Sequence, residues 1–378
     1  MRFPKFSGEW KREILNDVCT FHNGRAYKQN ELLSDGKYRV LRVGNFFTND
    51  SWYYSDLELD DEKVAVNGDL LYAWSASFGP RFWTGEKVIY HYHIWKIDSF
   101  QQVSKEFLFY FLERDTEKIK NEVQGGTMVH ITKGDMEKRE ILYPSILEQS
   151  KIARLLSLLD ERIATQNKII EKLQSLIKGI VDELMTVLLK GKLYPFSSFY
   201  IKAGEGGTPT TSVNEYYLGG TIPFIKIEDL SCKYLTSNKD FITELGMQKS
   251  SAWLIPSHSV IYSNGATIGA ISINEYPICT KQGILGIVPN TNINVEYLYL
   301  LMSSSYFSKE VNRIVTEGTM KTAYLKDINH IKCPLPSMAQ QQNITNLTSS
   351  IEKKLFVEQE LLKLLNIQKQ HLLRTMFI

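Results

Sequence analysis

Few side chains in this sequence have types and spacing suited to chemistry. His91 and His93 alternate within a run of β-favouring residues, so in a strand both would point to one face and could bind a metal ion. A metal site needs three or four converging ligands, and no further ligand follows at a matching spacing. We therefore favour the alternative, in which both histidines are ordinary core or surface residues, and we predict no metal site.

The known catalytic signatures are also missing. The glycine-rich stretch at 204–209 lacks the third glycine of a dinucleotide fingerprint and the Gly-Lys-Ser/Thr ending of a phosphate-binding loop. The sequence contains no nucleophile elbow, no HExxH and no Asn/Asp-Pro-Pro-aromatic motif. The carboxylates at 56–62 are most simply a solvated acidic loop. We expect no catalytic residue and no cofactor bound by this chain itself.

Composition narrows the class of protein without naming a ligand. The 378 residues carry a net charge of only +2, so composition alone does not indicate nucleic-acid binding. The four cysteines are isolated, which favours buried reduced thiols over zinc or disulfides. No apolar run approaches the ~18 residues of a membrane span, and the first residues lack a signal-peptide core. We expect a cytoplasmic protein without a membrane partner.

An internal repeat is the strongest pattern in the chain. The tripeptide at 126–128 recurs at 318–320, and at the same offset Asp135 matches Asp327 and Pro144 matches Pro336. Apolar residues keep this register over the following fifty or so positions, which chance rarely produces. The repeat predicts an order of globular segment, helix, globular segment, helix.

The elements that must position any site include two long helices, predicted at 145–190 and 337–378. Each opens with an S-x-x-E/Q capping box, at Ser145 and at Ser337. Apolar residues then step by three and four, which indicates an antiparallel coiled coil of helices roughly 60–70 Å long. The predicted seam is Ile152, Leu155, Leu159, Ile163, Leu173, Ile344, Leu347, Ile351, Leu355 and Leu365. Gln166 and Glu358 interrupt it, either as register-fixing polar residues or as solvent-facing ones.

The remaining segments have the texture of α+β domains. Short β-rich runs at 38–43, 88–97, 221–227, 259–262 and 284–288 are separated by turn residues. Helical stretches follow near 105–123 and 295–315. We predict two related α+β domains at 1–143 and 191–335, with the long helices at 144–190 and 336–378 between and after them.

The residues quoted above resemble a known family. The opening at 2–10, the repeated Pro-Ser-x-x-Glu/Gln-Gln before each long helix, and the ending at 372–377 look like those of specificity subunits of type I restriction–modification systems. The resemblance spans essentially the whole chain.

This resemblance implies a DNA-binding role without catalysis. Each globular segment would be a target-recognition domain that reads half of a bipartite site in double-stranded DNA. The helices would set the spacing between the halves and dock two methyltransferase subunits, which carry S-adenosylmethionine. Two restriction subunits, which use ATP and Mg, would complete the complex.

Candidate DNA-contacting residues follow from this role. The matched loops at 126–133 and 318–326 combine amides, hydroxyls and lysines, which suits phosphate contact. Within them and in other turns the candidates are Arg42, Asn45, Arg81, Thr127, Lys133, Lys226, Asn264, Thr319, Lys321 and Lys326. Each could equally be an ordinary turn or surface residue.

Two other functions remain open from the sequence. The chain could be a non-enzymatic adaptor, with two ligand-binding modules on a coiled-coil rod. It could also be a self-contained nuclease or methyltransferase with divergent motifs, although no predicted cofactor or metal site supports this.

Overall fold

A computed structural model of the chain describes residues 2–47, 49–75, 78–122, 131–315 and 321–377. Its contacts divide the chain into two compact units. Unit 1 comprises Met1–Asn167 and Glu360–Ile378, and unit 2 comprises Lys168–Gln359. Both long helices contribute residues to both units. The sequence predicts a different division, into four segments that follow one another along the chain. That division remains a prediction.

Unit 1 combines short strands with one substantial globular helix. Its strands are β1 (Lys11–Ile14), β2 (Thr20–Asn23), β3 (Tyr38–Leu41), β4 (Tyr53–Ser55), β5 (Val64–Ala65), β6 (Leu70–Ala73), β7 (Gly79–Phe82), β8 (Val88–Tyr90), β9 (Ile94–Asp98) and β10 (Glu140–Tyr143). Its globular helices are α1 (Leu15–Val18), α2 (Val43–Phe47), α3 (Lys105–Glu122) and α4 (Lys133–Glu137). The first long helix, α5, covers Ile146–Leu188.

Two sheets and a two-stranded pair organise these strands. One sheet has the antiparallel order β2-β9-β6-β7, and the other has the order β4-β3-β8-β5, in which β3 and β8 run parallel. Strands β1 and β10 pair antiparallel. In β6, Leu70 and Tyr72 pack into the core with α3, whereas Leu71 and Ala73 pack into the core of the second sheet. An unbroken apolar run fits a strand buried on both faces.

Unit 2 repeats this set of elements. Its strands are β11 (Leu193–Pro195), β12 (Tyr200–Glu205), β13 (Ile222–Ile225), β14 (Tyr234–Leu235), β15 (Asp240–Ile242), β16 (Val260–Ser263), β17 (Ile271–Asn274), β18 (Cys279–Thr280), β19 (Ile284–Pro289) and β20 (Lys332–Pro334). Its globular helices are α6 (Glu244–Gln248), α7 (Val295–Ser303), α8 (Ser305–Ile314) and α9 (Leu325–Ile328). The second long helix, α10, covers Met338–Met376.

The sheets of unit 2 repeat those of unit 1 except at their edges, where one sheet gains β14 and the other has no described strand at the place of β5. The order β12-β19-β16-β17 parallels β2-β9-β6-β7, and β14 extends it. The order β15-β13-β18 parallels β4-β3-β8, again with a parallel pair, β13 and β18. The predicted helical stretch at 295–315 is two helices, because Ser304 begins a new one by accepting a hydrogen bond from the Phe307 amide. The α+β prediction and the internal repeat are confirmed.

The long helices begin and end within two residues of their predicted bounds, but their capping differs. At Ser337 the box forms in both directions, since the Gln340 amide donates to Ser337 Oγ (3.4 Å) and the Ser337 amide donates to Gln340 Oε1 (3.0 Å). At Ser145 only the Glu148 amide donates back (3.5 Å). The Glu148 carboxylate binds the Arg2 guanidinium instead, at 2.7 Å. The first predicted capping box is therefore only half formed.

Segments of both helices pack inside each unit. In unit 1, the N-terminal half of α5 shares a core with the C-terminal end of α10, as an antiparallel pair requires. Phe377 lies against Phe107, with ring centroids 5.1 Å apart. In unit 2, Ile344 near the start of α10 packs with Val181 and Met185 near the end of α5.

Four of the ten predicted seam residues are buried (Ile152, Leu159, Ile344 and Leu365) and five are half-buried, whereas the prediction for one residue needs correction. Leu347 is 54% exposed, and its neighbour Thr348 is fully buried in its place. A strict heptad drifts by about 20° per repeat against a straight helix, so a seam extended from sequence can slip by one residue. Gln166 and Glu358 are both buried, which excludes the solvent-facing interpretation. Glu358 also pairs with Lys354 on its own helix.

A buried glutamine anchors the start of α5 to the globular part of unit 1. The Gln149 side chain donates to the carbonyl oxygens of Gln102 (2.8 Å) and Pro144 (2.9 Å). Its Oε1 accepts from the Ser104 amide at 2.8 Å. The residue before α3 is therefore tied to the first turn of the long helix.

The equivalent glutamine of unit 2 makes the same three bonds. Gln341, fully buried, donates to the carbonyl oxygens of Asn292 (3.0 Å) and Pro336 (2.9 Å) and accepts from the Asn294 amide (2.7 Å). Asn294 is the N-cap of α7. In each repeat, the second residue of the Glu/Gln-Gln pair, Gln149 or Gln341, therefore binds three backbone groups through its side chain. We call this arrangement the glutamine clamp.

Candidate nucleic-acid interface

Three arginines of unit 1 lie over aromatic rings and form no ion pair with a carboxylate of the described residues. A ring holds a guanidinium by cation–π attraction without neutralising it, so the positive charge stays available to DNA. Two of the three, Arg42 and Arg81, were predicted to contact DNA. The pairs are Arg39 over Trp52 at 5.6 Å, Arg42 over Tyr53 at 4.3 Å and Arg81 over Phe47 at 4.8 Å.

Arg42 and Asn45 lie at the carboxyl end of β3 and in α2. The Asn45 amide donates to the carbonyl oxygens of Asn49 (2.8 Å) and Ser51 (2.7 Å), so it shapes the loop after α2. Among the described residues, Arg42 Nε and Asn45 Oδ1 are buried without a hydrogen-bond partner. A contact of either residue with DNA remains a prediction.

The histidines lie in a turn and not in a strand, which corrects the sequence reading of 88–97. Residues 91–93 separate β8 from β9, and the His91 and His93 rings lie 4.8 Å apart, edge to face. The Trp74 ring packs 4.9 Å from His93, and its Nε1 donates to the Tyr92 carbonyl at 2.8 Å. Tyr92 is 39% exposed at the tip. The result is an aromatic turn whose side chains reach solvent.

The protonation of His91 follows from its surroundings. Burial lowers the pKa of His91 to about 4, with smaller contributions from His93 and the Arg42 charge. His91 is therefore neutral at pH 7, where its ring can both donate and accept a hydrogen bond. No group of three or more His, Cys, Asp or Glu side chains in the described part of the chain is placed to hold a metal ion.

Unit 2 holds Lys226 at the position that Arg42 occupies in unit 1, directly after the first strand of the parallel pair. Its ammonium lies 2.8 Å from the Asp240 carboxylate, which raises the pKa of Lys226. Asn264, predicted as a turn residue that reaches DNA, is fully buried. Its side chain donates to the Ala323 carbonyl at 3.1 Å, because this turn is covered by the segment before α9. We correct the prediction for Asn264.

The matched loops before α4 and α9 are described only at their ends. Lys133 opens α4 and pairs with Glu137 at 3.3 Å, and Lys326 in α9 lies 5.5 Å over the Tyr324 ring. Lys321 is exposed. The other two candidates in these loops, Thr127 and Thr319, lie outside the described residues. Phosphate contact by the three lysines remains a prediction.

Removing two of these lysines should weaken DNA binding without regard to sequence. We expect Lys133→Ala with Lys326→Ala to lower DNA affinity and to reduce the slope of log affinity against log salt by roughly 2, one for each lost phosphate contact. Titrations at several salt concentrations measure this, with the exposed Lys5→Ala and Lys309→Ala pair as control. Equal slopes for the two double variants would remove both lysines from the interface.

No helix in the described ranges combines the length and hydropathy needed to cross a bilayer. This finding applies to helices only. The candidate nucleic-acid interface consists of side chains at strand ends and in turns.

Comparison with known proteins gives a consistent family. The chain is 23% identical over 391 residues to the type I restriction enzyme MjaVIII specificity subunit of Methanocaldococcus jannaschii, covering 95% of this chain and 89% of that protein. It is 30% identical over 147 residues to the MjaIX specificity subunit of the same organism, which covers 38% of this chain and only about a third (34%) of that relative.

Solved structures share the fold. The S subunit of a type I restriction-modification system from M. genitalium matches with a TM-score of 0.58 at 18% identity, covering 100% of this chain and 99% of that one. A chain from a structural study of complex assembly in the type I R-M system matches with a TM-score of 0.52 at 16% identity, covering 98% of each chain.

The sequence profile of one family, described as type I restriction modification DNA specificity domain, matches twice, at residues 7–175 and 200–366. Each match contains both sheets of one unit, including the parallel strand pair. Because the two matches cover most of the chain, this protein belongs to the type I restriction modification DNA specificity domain family, with two copies of that domain in one chain.

Proposed function

We propose that the chain is the non-catalytic DNA-binding subunit of a type I restriction–modification complex and reads a bipartite target, one half through each unit. The observation that carries this proposal is the repeat of a complete recognition fold. Unit 2 repeats seven strands of the two unit 1 sheets in the same order, with the same parallel pair and the same glutamine clamp. Two copies of one reader with different side chains suit two half-sites of different sequence.

The long helices suit the role of a spacer. Base readers must match the advance of the DNA helix, about 34 Å per turn, so their separation fixes the unread distance between half-sites. The helix α5 runs for 43 residues without an internal proline, the residue that most often kinks a helix, and we propose that it acts as this spacer. A flexible linker would not fix this distance.

Exposed apolar side chains along α5 support docking of the partner subunits. In unit 1 these are Ile146, Leu147 and Leu158, the last two eleven residues apart, and in unit 2 they are Ile169, Leu176 and Val187, at intervals of seven and eleven. Both intervals return to nearly the same helix face. We propose that two methyltransferase subunits, which hold S-adenosylmethionine, cover such surfaces, and that two restriction subunits with ATP and Mg join them.

A genome-wide map of methylated adenine tests the proposal. With the gene present, we expect methylation at one bipartite motif. On deletion of the gene this methylation should disappear, while other methylated motifs stay unchanged. Restoring the gene should restore the motif.

The same experiment addresses the alternative functions. An unchanged map in cells that express the methyltransferase partner would contradict the proposal and favour the adaptor. Methylation or cleavage of DNA by the purified chain alone would favour a self-contained enzyme.

A further inference from the structure

The turn after the second strand of the parallel pair is held by backbone hydrogen bonds in unit 1. Residues 91–93 join β8 to β9 at the end of the sheet where β3 also finishes. Since β3 and β8 are parallel, Arg42 and this turn lie at the same sheet end. The bonds are His91 N to Leu41 O (2.9 Å), Arg25 N to Tyr90 O (3.0 Å), Gly24 N to Ile94 O (3.2 Å) and Trp74 N to His93 O (3.1 Å).

Unit 2 builds the same frame around a turn of the same length, residues 281–283 between β18 and β19. Lys226 follows β13 as Arg42 follows β3. The bonds are Lys281 N to Ile225 O (2.9 Å), Gly207 N to Thr280 O (3.0 Å), Gly206 N to Ile284 O (2.9 Å) and Asn264 N to Gly283 O (3.0 Å). Four equivalent hydrogen bonds therefore recur, one for one.

The two frames also share a steric requirement. A Cβ at Gly24 would overlap the carbonyl oxygens of His91 and Tyr90. A Cβ at Gly206 would overlap the carbonyl oxygen of Thr280. Because backbone oxygens cannot move aside as a flexible side chain can, only glycine permits this close approach. The path of the turn is thus fixed in the same way in both units.

The side chains carried on this common frame differ completely. Unit 1 presents His91, Tyr92 and His93, whereas unit 2 presents Lys281, Gln282 and a glycine, with the lysine and glutamine exposed. A constant backbone with different polar side chains is what two readers of different base sequences require. The matched loops before α4 and α9 have the opposite character at their start, since both begin with Gly-Thr-Met.

We propose that the two turns, residues 91–93 and 281–283, are the base-reading edges of units 1 and 2, each contacting the bases of one half-site. This inference rests on the proposed function. A lysine can donate to O6 and N7 of guanine, and a glutamine can bind N6 and N7 of adenine. The His91 imidazole and the Tyr92 hydroxyl offer donors and acceptors, and the tyrosine ring offers an apolar edge for a thymine methyl group.

The test uses the full chain, expressed with its methyltransferase subunit, and maps methylated adenine. Lys281→Ala with Gln282→Ala should lower methylation of the wild-type motif about tenfold or more and relax base preference in one half only. Tyr92→Ala with His93→Ala should do the same for the other half only. Lys309→Ala, an exposed lysine on α8, should leave both halves unchanged.

A milder variant keeps the test independent of folding. Gln282→Glu preserves size at an exposed position, and a carboxylate accepts from N4 of cytosine, so one position of the motif should shift from adenine towards cytosine. The inference is overturned if the folded double variants and Gln282→Glu all keep the wild-type motif in both halves. A wild-type chain that directs no bipartite motif would instead overturn the proposed function, and this inference with it.

Discussion

Replacing Lys369 by methionine is expected to destabilise unit 1 by roughly 3–5 kcal/mol, because it leaves two carboxylates without their common cation. The Lys369 ammonium lies 2.7 Å from both Glu113 of α3 and Asp160 of α5, and its side chain is only 13% exposed. The Tyr110 hydroxyl donates to Asp160 at 2.8 Å. One lysine of α10 thus links α3 and α5 in unit 1.

The loss of stability caused by Lys369→Met should depend on pH, and the direction follows from the pKa shifts of Glu113 and Lys369. Burial raises the pKa of Glu113 above its ordinary 4.5, although attraction by Lys369 opposes this. In Lys369→Met this attraction is absent, so the pKa of Glu113 rises further and Glu113 takes up a proton at a higher pH than in the wild type. The variant's deficit should be full at pH 7 and narrow as the pH falls towards 4.5. The attraction of the two carboxylates outweighs burial and raises the pKa of Lys369, so the wild type loses this contribution only above pH 10.5.

Urea denaturation followed by tryptophan fluorescence measures these differences, because five of the six tryptophans lie in unit 1. Lys363→Met is the matched control on the same helix. Lys363 is exposed and pairs with Glu360 at 3.7 Å, so its loss should cost within about 0.5 kcal/mol. A Lys369→Met chain as stable at pH 7 as this control would contradict the prediction.

Replacing Gln341 by leucine is expected to lower the free energy of unfolding of unit 2 by roughly 3–5 kcal/mol. Leucine has a similar size, but three buried backbone groups lose their partner, at about 1–3 kcal/mol each, with partial relief from solvent. These groups are the Asn294 amide and the carbonyls of Asn292 and Pro336. Gln149→Leu should have the same effect on unit 1.

Amide hydrogen exchange shows where Gln341→Leu acts, since in this variant the Asn294 amide should exchange faster, through local opening that precedes unfolding of the whole unit. Gln248→Leu, at the exposed end of α6, is the control and should change stability by no more than about 0.5 kcal/mol. Unchanged exchange at Asn294, together with control-like stability, would show that the clamp contributes little.

The sequence predicts the long helices and the repeat well, because their signals are local and periodic. The bounds of α5 and α10 follow from Ser145, Ser337 and the apolar spacing, and the repeated Pro144 and Pro336 lie between β10 or β20 and the long helix that follows. The seam was harder to predict, since a slip of one residue at Leu347 changes the packing without changing the pattern.

Errors occurred where contacts distant in sequence decide the outcome. Residues 88–97 favour strand throughout, yet the His91 amide bonds to Leu41, fifty positions earlier, and the chain turns there. Asn264 has the residue type of a turn, but the segment around Ala323 covers it. The clamp at Gln149 and Gln341 was missed, although the repeated Gln-Gln and Glu-Gln pairs marked its place. Its partners at 102–104 and 292–294 cannot be inferred from local spacing.

The assignment of the last helix segment to unit 1 has a consequence for synthesis. Leu373, Met376 and Phe377 pack in the same core as Phe107 and Leu156, which are synthesised much earlier. The ribosome must therefore make all of unit 2 before the core of unit 1 is complete. At 5–20 residues per second, the delay is roughly 10–40 s. During this time the core residues that the last helix segment will contact, which include aromatic side chains, stay exposed in the nascent first half and are available to a chaperone. A ribosome that stalls within unit 2 would release a first half whose core lacks these three side chains.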